Sequence, residues 1–208
     1  MVARSGAVDS RRTDTRDRAL AVALELFARR GYTATSLREI AEQLGVTKAA
    51  LYFHFRTKEE ILTAIMRGYL DGIAELAGEA AARRPLSDDG RAEVIRRFAA
   101  HQQQWGIDLI LVVRQNYTEI QSLPIGTEVK EGMRSLVTAL APADATPEQR
   151  LRVRTALATF QIAAVTALQD EDGDAADLHE AALALSLEIL AGERDRPAEN
   201  RQEPASAG

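Results

Sequence analysis

Between Thr47 and Lys58 the sequence TKAALYFHFRTK offers ammonium groups, an imidazole, a phenol and hydroxyls within a dozen residues. Lys48 and Lys58 can neutralise phosphates, and Tyr52 and His54 carry hydrogen-bonding tips suited to a phosphate oxygen or a base edge. Thr47 and Ala49 are small enough for close approach and for contact with a thymine methyl. Each also has a plain structural alternative. Single lysines commonly solvate a face, Tyr52 can be a half-buried packing residue, His54 a surface imidazole, Thr47 a helix cap and Ala49 a good helix former. It is their common spacing that favours a surface built for DNA.

The elements that must position these groups are two short helices joined by a tight turn over residues 37–56. Ser36 followed by Glu39 is a capping box that starts the first helix, whose inner face is Leu37, Ile40, Ala41 and Leu44. Gly45 follows where the helix must stop and turn, a place for a residue that accepts positive φ. The turn is Gly45-Val46-Thr47. Thr47 caps a second helix in which Leu51 and Phe55, four apart, point inward with Val46, leaving Lys48, Ala49, Tyr52 and His54 outside. This is the pattern of a helix-turn-helix.

Residues 13–66, and within them FARRGYTATSLREIAEQLGVTKAALYFHFRTKEEIL, resemble the DNA-binding domain of the TetR (tetracycline repressor) family of bacterial transcription regulators. The resemblance covers about the first third of the chain; beyond about Leu86 no motif matches. It implies DNA contacts at the positions of Thr35, Ser36, Thr47, Lys48, Ala49, Tyr52, His54 and Lys58. It further implies an all-α fold, a homodimer on near-palindromic operator DNA, and release from DNA by a small-molecule effector.

Composition sets the wider bounds. The chain has 208 residues, 46% hydrophobic and 27% charged, with 5% aromatic. Its apolar residues recur every three to four positions, so the fold class is all-α, about nine helices in two domains. Net charge is −5, yet residues 1–67 hold 12 Lys and Arg against 8 Asp and Glu, while the rest hold 14 against 23. A basic end and an acidic body suggest one face for DNA and another for a different partner. With no Cys and with His54, His101 and His179 far apart, no metal-ligand spacing exists and no cofactor is expected. No apolar run is long enough for a membrane span and no signal core is present, so the expected compartment is the cytoplasm. A DNA-binding dimer without a small ligand is one alternative, and an all-α enzyme carrying a helix-turn-helix is the rival from another class. Against it stand the absence of a G-x-S-x-G or phosphate-cradling Gly loop and of a His beside a Cys.

In chain order, residues 1–12 read as a flexible arm whose Arg4, Arg11 and Arg12 either reach a minor groove or are merely solvated. Residues 13–60 form the helix-turn-helix domain. Its first helix, from about residue 14 to 30, has the buried stripe Leu20, Ala23, Leu24 and Phe27. A fourth helix over residues 58–82, about 37 Å long, is long enough to belong to both domains. Gly68, Gly72 and Gly78 within it mark bends, close contacts or plain tolerance, and Gly72→Ala reads as the mildest way to stiffen it. Further helices are expected over about 91–104, 107–122, 126–140, 148–168 and 175–191, with an acidic loop at 169–174 and a disordered tail over 193–208. Residues 61–192 make the effector-binding and dimerisation domain.

The last two helices are apolar on most sides and need cover on two faces, which suggests a four-helix bundle across a two-fold axis. Leu157, Ala164, Leu168, Leu183, Leu187 and Leu190 are the expected interface; a fully internal helix pair is the alternative. Phe98, His101, Gln102, Trp105, Tyr117, Met133, Phe160 and Gln161 supply the rings and polar groups that small-molecule pockets use, and equally suit ordinary core and surface positions.

Overall fold

The structure, a computed structural model, describes residues 6–169 and 174–192, with side chains from residue 14 onward. Helices make up all its regular structure: α1 (Gly6–Arg30), α2 (Leu37–Leu44), α3 (Lys48–His54), α4 (Lys58–Ala82), α5 (Asp88–Gln115), α6 (Tyr117–Ser122), α7 (Pro124–Leu140), α8 (Pro147–Gln169) and α9 (Ala175–Ala191). Among the described residues there is no strand. The expected acidic loop and C-terminal tail lie largely outside these residues, as does Arg4.

Most helix ends follow from local chemistry. Thr57 Oγ1 accepts from Glu60 N at 3.1 Å at the start of α4. Thr146 and Gln149 form a reciprocal cap ahead of Pro147, with N to Oε1 at 2.8 Å and N to Oγ1 at 3.2 Å. Pro124 and Pro147 are the first residues of α7 and α8, one or two residues earlier than expected. A proline suits a first helical turn, whose N–H groups have no intrahelical partner. The expected break near Gly106 is present as a kink within α5, where Gly106 takes φ 67° and ψ −177°. A second break falls at Asn116, whose buried amide donates to Val112 O at 2.8 Å and ends α5 before α6 begins. At the other end α1 starts at Gly6, so residues 6–12, expected as part of an arm, continue the helix. Small and polar residues make up that stretch, GAVDSRR, which has no periodicity to reveal it.

The chain divides into two compact units, the first running through Glu79 and joined by Ala100–Leu136, the second comprising Ala80–Ala99 and the residues from Val137 onward. The division runs through α4, α5 and α7. The reason lies in the first unit's core, where Phe27, Ile40 and Leu51 share one cluster with Ile61, Ile65 and Met66 of α4 and with Val112, Ile120 and Ile125. Within this unit α4 and α5 mesh closely. Cβ atoms added at Gly68 and Gly72 would lie 2.9 Å from Trp105 and 2.3 Å from His101, so these glycines form a cradle for two rings four residues apart.

In the second unit α8 and α9 pack against each other through small residues. Thr159 Oγ1 donates to Ala156 O at 2.8 Å and Ser186 Oγ to the same oxygen at 2.8 Å, so buried hydroxyls are satisfied by one α8 carbonyl. Phe98 and Phe160 meet edge to face, centroids 5.5 Å apart.

Candidate nucleic-acid interface

The site is built on α2 and α3, braced by α1. Leu37, Ile40, Ala41 and Leu44 are buried against Ala23, Leu26 and Phe27 of the same core. Ser36 and Glu39 complete the capping box: Glu39 N donates to Ser36 Oγ at 3.3 Å and Ser36 N to Glu39 Oε2 at 2.8 Å. The bonds from Ser36 hold the Glu39 carboxyl below its usual pKa. Gly45 takes the left-handed conformation, φ 73° and ψ 30°, and Val46 N donates back to Ala41 O at 3.0 Å. This closes α2 and turns the chain within three residues. Thr47 Oγ1 then accepts from Ala50 N at 3.2 Å to start α3.

With Leu51 and Phe55 buried, α3 presents Lys48, Ala49, Tyr52 and Phe53 outward. Lys48 Nζ lies 5.1 Å from the centre of the Tyr52 ring, a cation-π pair one helical turn apart. Tyr52 is 40% exposed. The Arg16 guanidinium sits 5.3 Å over the Phe55 ring. It thereby adds a charge from α1 beside an open groove of about 620 Å³ at the end of α3, lined also by His54, Thr63, Arg67 and Leu123.

Of the residues expected to touch DNA, Ser36, Thr47, Lys48, Ala49 and Tyr52 are exposed and His54 half-buried. Thr35 is turned inward. It is 2% exposed and its hydroxyl donates to Gly31 O at 2.9 Å, which secures the exit of α1 and leaves that side chain no route to a ligand. Lys58 is also used internally. Its ammonium donates to Tyr32 O at 2.7 Å and Thr33 O at 3.2 Å and lies 4.6 Å from the Tyr32 ring. Burial there lowers its pKa. Sequence reasoning missed Phe53, which is 66% exposed; apolar patterning assigns a phenylalanine to the interior, although its spacing from Ala49 puts it on the outer face.

The expected effector residues are divided between the two units. His101, Gln102 and Trp105 cluster with Tyr69 in the first unit. His101 stacks on Tyr69 with centroids 5.0 Å apart, and its Nε2 is 2.9 Å from Tyr69 O. Gln102 Nε2 donates to Tyr69 Oη at 3.0 Å, and burial pushes the Tyr69 phenol up to about 12. Phe98 and Phe160 belong to the second unit, where both are buried. Met133 is half-buried, and Tyr117 and Gln161 face solvent. Tyr69 was the unrecognised centre of the cluster, a residue inside α4 with no motif to mark it.

The expected dimer residues differ in exposure within the single chain. Leu157 is buried within its own unit as part of the stripe Val153, Ala156, Leu157 and Phe160. Ala164, Leu183, Leu187 and Leu190 are half-buried. Leu168, Ile162 and Leu185 are exposed, the last two at 62% and 50%.

Comparison with known proteins agrees with this geometry. Residues 19–65 match the model of the tetR family of bacterial regulatory proteins. Over 67 residues the sequence is 42% identical to the HTH-type transcriptional repressor KstR2 of Mycobacterium tuberculosis, covering 32% of each chain. Over 98 residues it is 36% identical to the HTH-type transcriptional activator FasR of Mycolicibacterium smegmatis, covering 45% of this chain and 44% of that one. The matched region thus spans about a third of the repressor and under half of the activator. The crystal structure of the TetR family regulator PfmR from Thermus thermophilus aligns with 84% of this chain and 97% of its own, at 27% identity and a TM-score of 0.60. Motif, helix order and relatives converge: residues 19–65 match the DNA-binding domain of the tetR family of bacterial regulatory proteins, and the fold is similar to that of a solved TetR family regulator.

Proposed function

We propose that this protein is a sequence-specific DNA-binding transcription regulator, a cytoplasmic homodimeric repressor released from its operator by a small molecule, and not an enzyme. The observation that carries the reading is the α2-turn-α3 unit. Capped at both starts and reversed at Gly45, it holds Lys48, Ala49 and Tyr52 outward on a helix whose inner side is anchored by Leu51. Residues 13–60 serve DNA binding, with Ser36 at the start of α2, Thr47 capping α3 and His54 in its last turn. Residues 61–192 serve effector binding and dimerisation, the latter through α8 and α9. The effector-responsive part rests on Tyr69, His101, Gln102 and Trp105, rings and polar groups of the kind that bind small molecules.

Selection from random duplex DNA tests the reading. A dimer whose recognition helices enter the major groove should enrich a near-palindrome with half-sites about 34 to 36 Å apart, or a multiple of that. Lys48→Ala should weaken binding and flatten the salt dependence by about one unit of slope. Recovery of a single unpaired half-site counts against the dimer. Raised transcription of the bound promoter on deleting the gene fits a repressor, and lowered transcription makes the protein an activator, as FasR is named. Trp105, the chain's one tryptophan, supplies the fluorescence signal for a metabolite screen.

A further inference from the structure

Phe53 is 66% exposed on a helix that otherwise sorts its side chains well, with Leu51 fully buried. Ala49 and Ala50, four and three residues before it, are exposed on the same side. Helical spacing therefore sets two methyls and an aromatic ring in one outward strip. The strip is bordered by the Lys48–Tyr52 pair, 5.1 Å from ammonium to ring, and by His54, whose ring meets Phe53 edge-on at 5.3 Å. Polar flanks thus bracket an apolar centre. The whole of α3 reads KAALYFH, in which Lys48, paired with Tyr52, is the one residue of the Arg, Lys, Asn and Gln set that reads guanine or adenine by paired hydrogen bonds.

In the major groove the base edges display donors, acceptors and one apolar group, the C5-methyl of thymine. A strip with no hydrogen-bonding atoms has only that group as its complement, while the flanking Lys48 ammonium suits a phosphate. We propose that Phe53 is a specificity-determining residue that reads thymine methyls in each half-site, with Ala49 and Ala50 low enough to let the ring reach them. The inference rests on the DNA-binding reading above and names the base chemistry which that reading leaves open.

Thymine-to-uracil replacement removes the methyl and nothing else. Duplexes selected by the wild-type protein from a random pool are remade with each dT exchanged singly for dU, and binding is followed by fluorescence anisotropy at fixed salt. At one or more thymines per half-site the exchange should weaken wild-type binding about fourfold, and about fifteenfold when both half-sites are changed. Phe53→Ala should bind the dT and dU duplexes alike, and Phe53→Leu should keep part of the discrimination. Both variants should fold as the wild type does, because the ring is exposed. A selected site indifferent to dU at every position overturns the assignment while leaving the protein a DNA-binding regulator. Undiminished discrimination in Phe53→Ala also overturns it, and transfers the contact to another residue. A pool from which the wild type enriches nothing removes the DNA-binding reading itself, and this inference with it.

Discussion

The ammonium of Lys58 and the main-chain oxygen of Tyr32 are 2.7 Å apart, and the same ammonium lies 4.6 Å from the Tyr32 ring. The first residue of α4 is thereby tied to the loop that delivers Ser36 to the start of α2. Tyr32 in turn meets Phe27 edge to face, centroids 5.1 Å apart, so the tie ends in the core. A lysine assigned from sequence to a phosphate thus has a positioning role.

Lys58→Met separates the two roles. Removing a charge-assisted pair that is partly open to solvent should cost about 1 kcal/mol. In a chain of this size that lowers the unfolding midpoint by about 2 to 4 °C. If positioning is the whole role, DNA affinity falls modestly and the salt slope is unchanged. A slope smaller by about one, with an unchanged melting curve, returns Lys58 to the phosphate contacts.

Gly72→Ala, from sequence the gentlest stiffening of α4, is not gentle in this fold. The new Cβ would lie 2.3 Å from His101 Cε1, so the imidazole must leave its place against Tyr69. Crowding of this kind costs roughly 1 to 3 kcal/mol. Gly78→Ala meets nothing within 4 Å and should stabilise by up to about 1 kcal/mol through helix propensity. Opposite shifts in the denaturant midpoint are expected, and Gly72→Ala at or above wild-type stability would show that the ring moves away freely.

The helix-turn-helix was legible because its determinants are local. Ser36 with Glu39, the left-handed Gly45 and the cap at Thr47 each act within three or four residues, and all are present as read. What stayed hidden depends on tertiary partners. Thr35 is occupied by a carbonyl at the end of α1, and Lys58 by carbonyls 26 and 25 residues away. The candidate pocket was unreadable for a related reason. Phe98 and Trp105 have the same chemistry in a sequence, and only packing assigns one to the second unit's interior and the other to the cradle at Gly68. At Asn116 a side-chain bond to Val112 O ended a helix that hydrophobic spacing would have continued.

His101 should make stability depend on pH. Burial holds its pKa below the ordinary 6.5, against the opposing pull of the Tyr69 carbonyl and the Glu75 carboxylate. The folded state therefore favours the neutral ring. Its contribution is complete above pH 6.5 and declines as the pH falls below that value, because the unfolded chain then takes up the proton first. Chemical denaturation between pH 7.5 and 5 should show this decline in the wild type and less of it in His101→Gln. Parallel curves for the two proteins would assign the dependence to other groups.

The dimer prediction now turns on which apolar residues the fold leaves outside. Leu157 is buried in its own unit, so Leu157→Ala should cost about 2 to 5 kcal/mol of fold whatever the oligomeric state. Leu185 and Ile162, exposed on α9 and α8, are the better probes of association. A carboxylate at Leu185 would be buried without a partner only in the dimer, so Leu185→Glu should cost several kcal/mol of association and little of the fold. Sedimentation at micromolar concentration is expected to give a folded monomer, with helical circular dichroism retained and operator affinity lost along with the second recognition helix. A Leu185→Glu protein that sediments as a dimer moves the interface away from this face of α9.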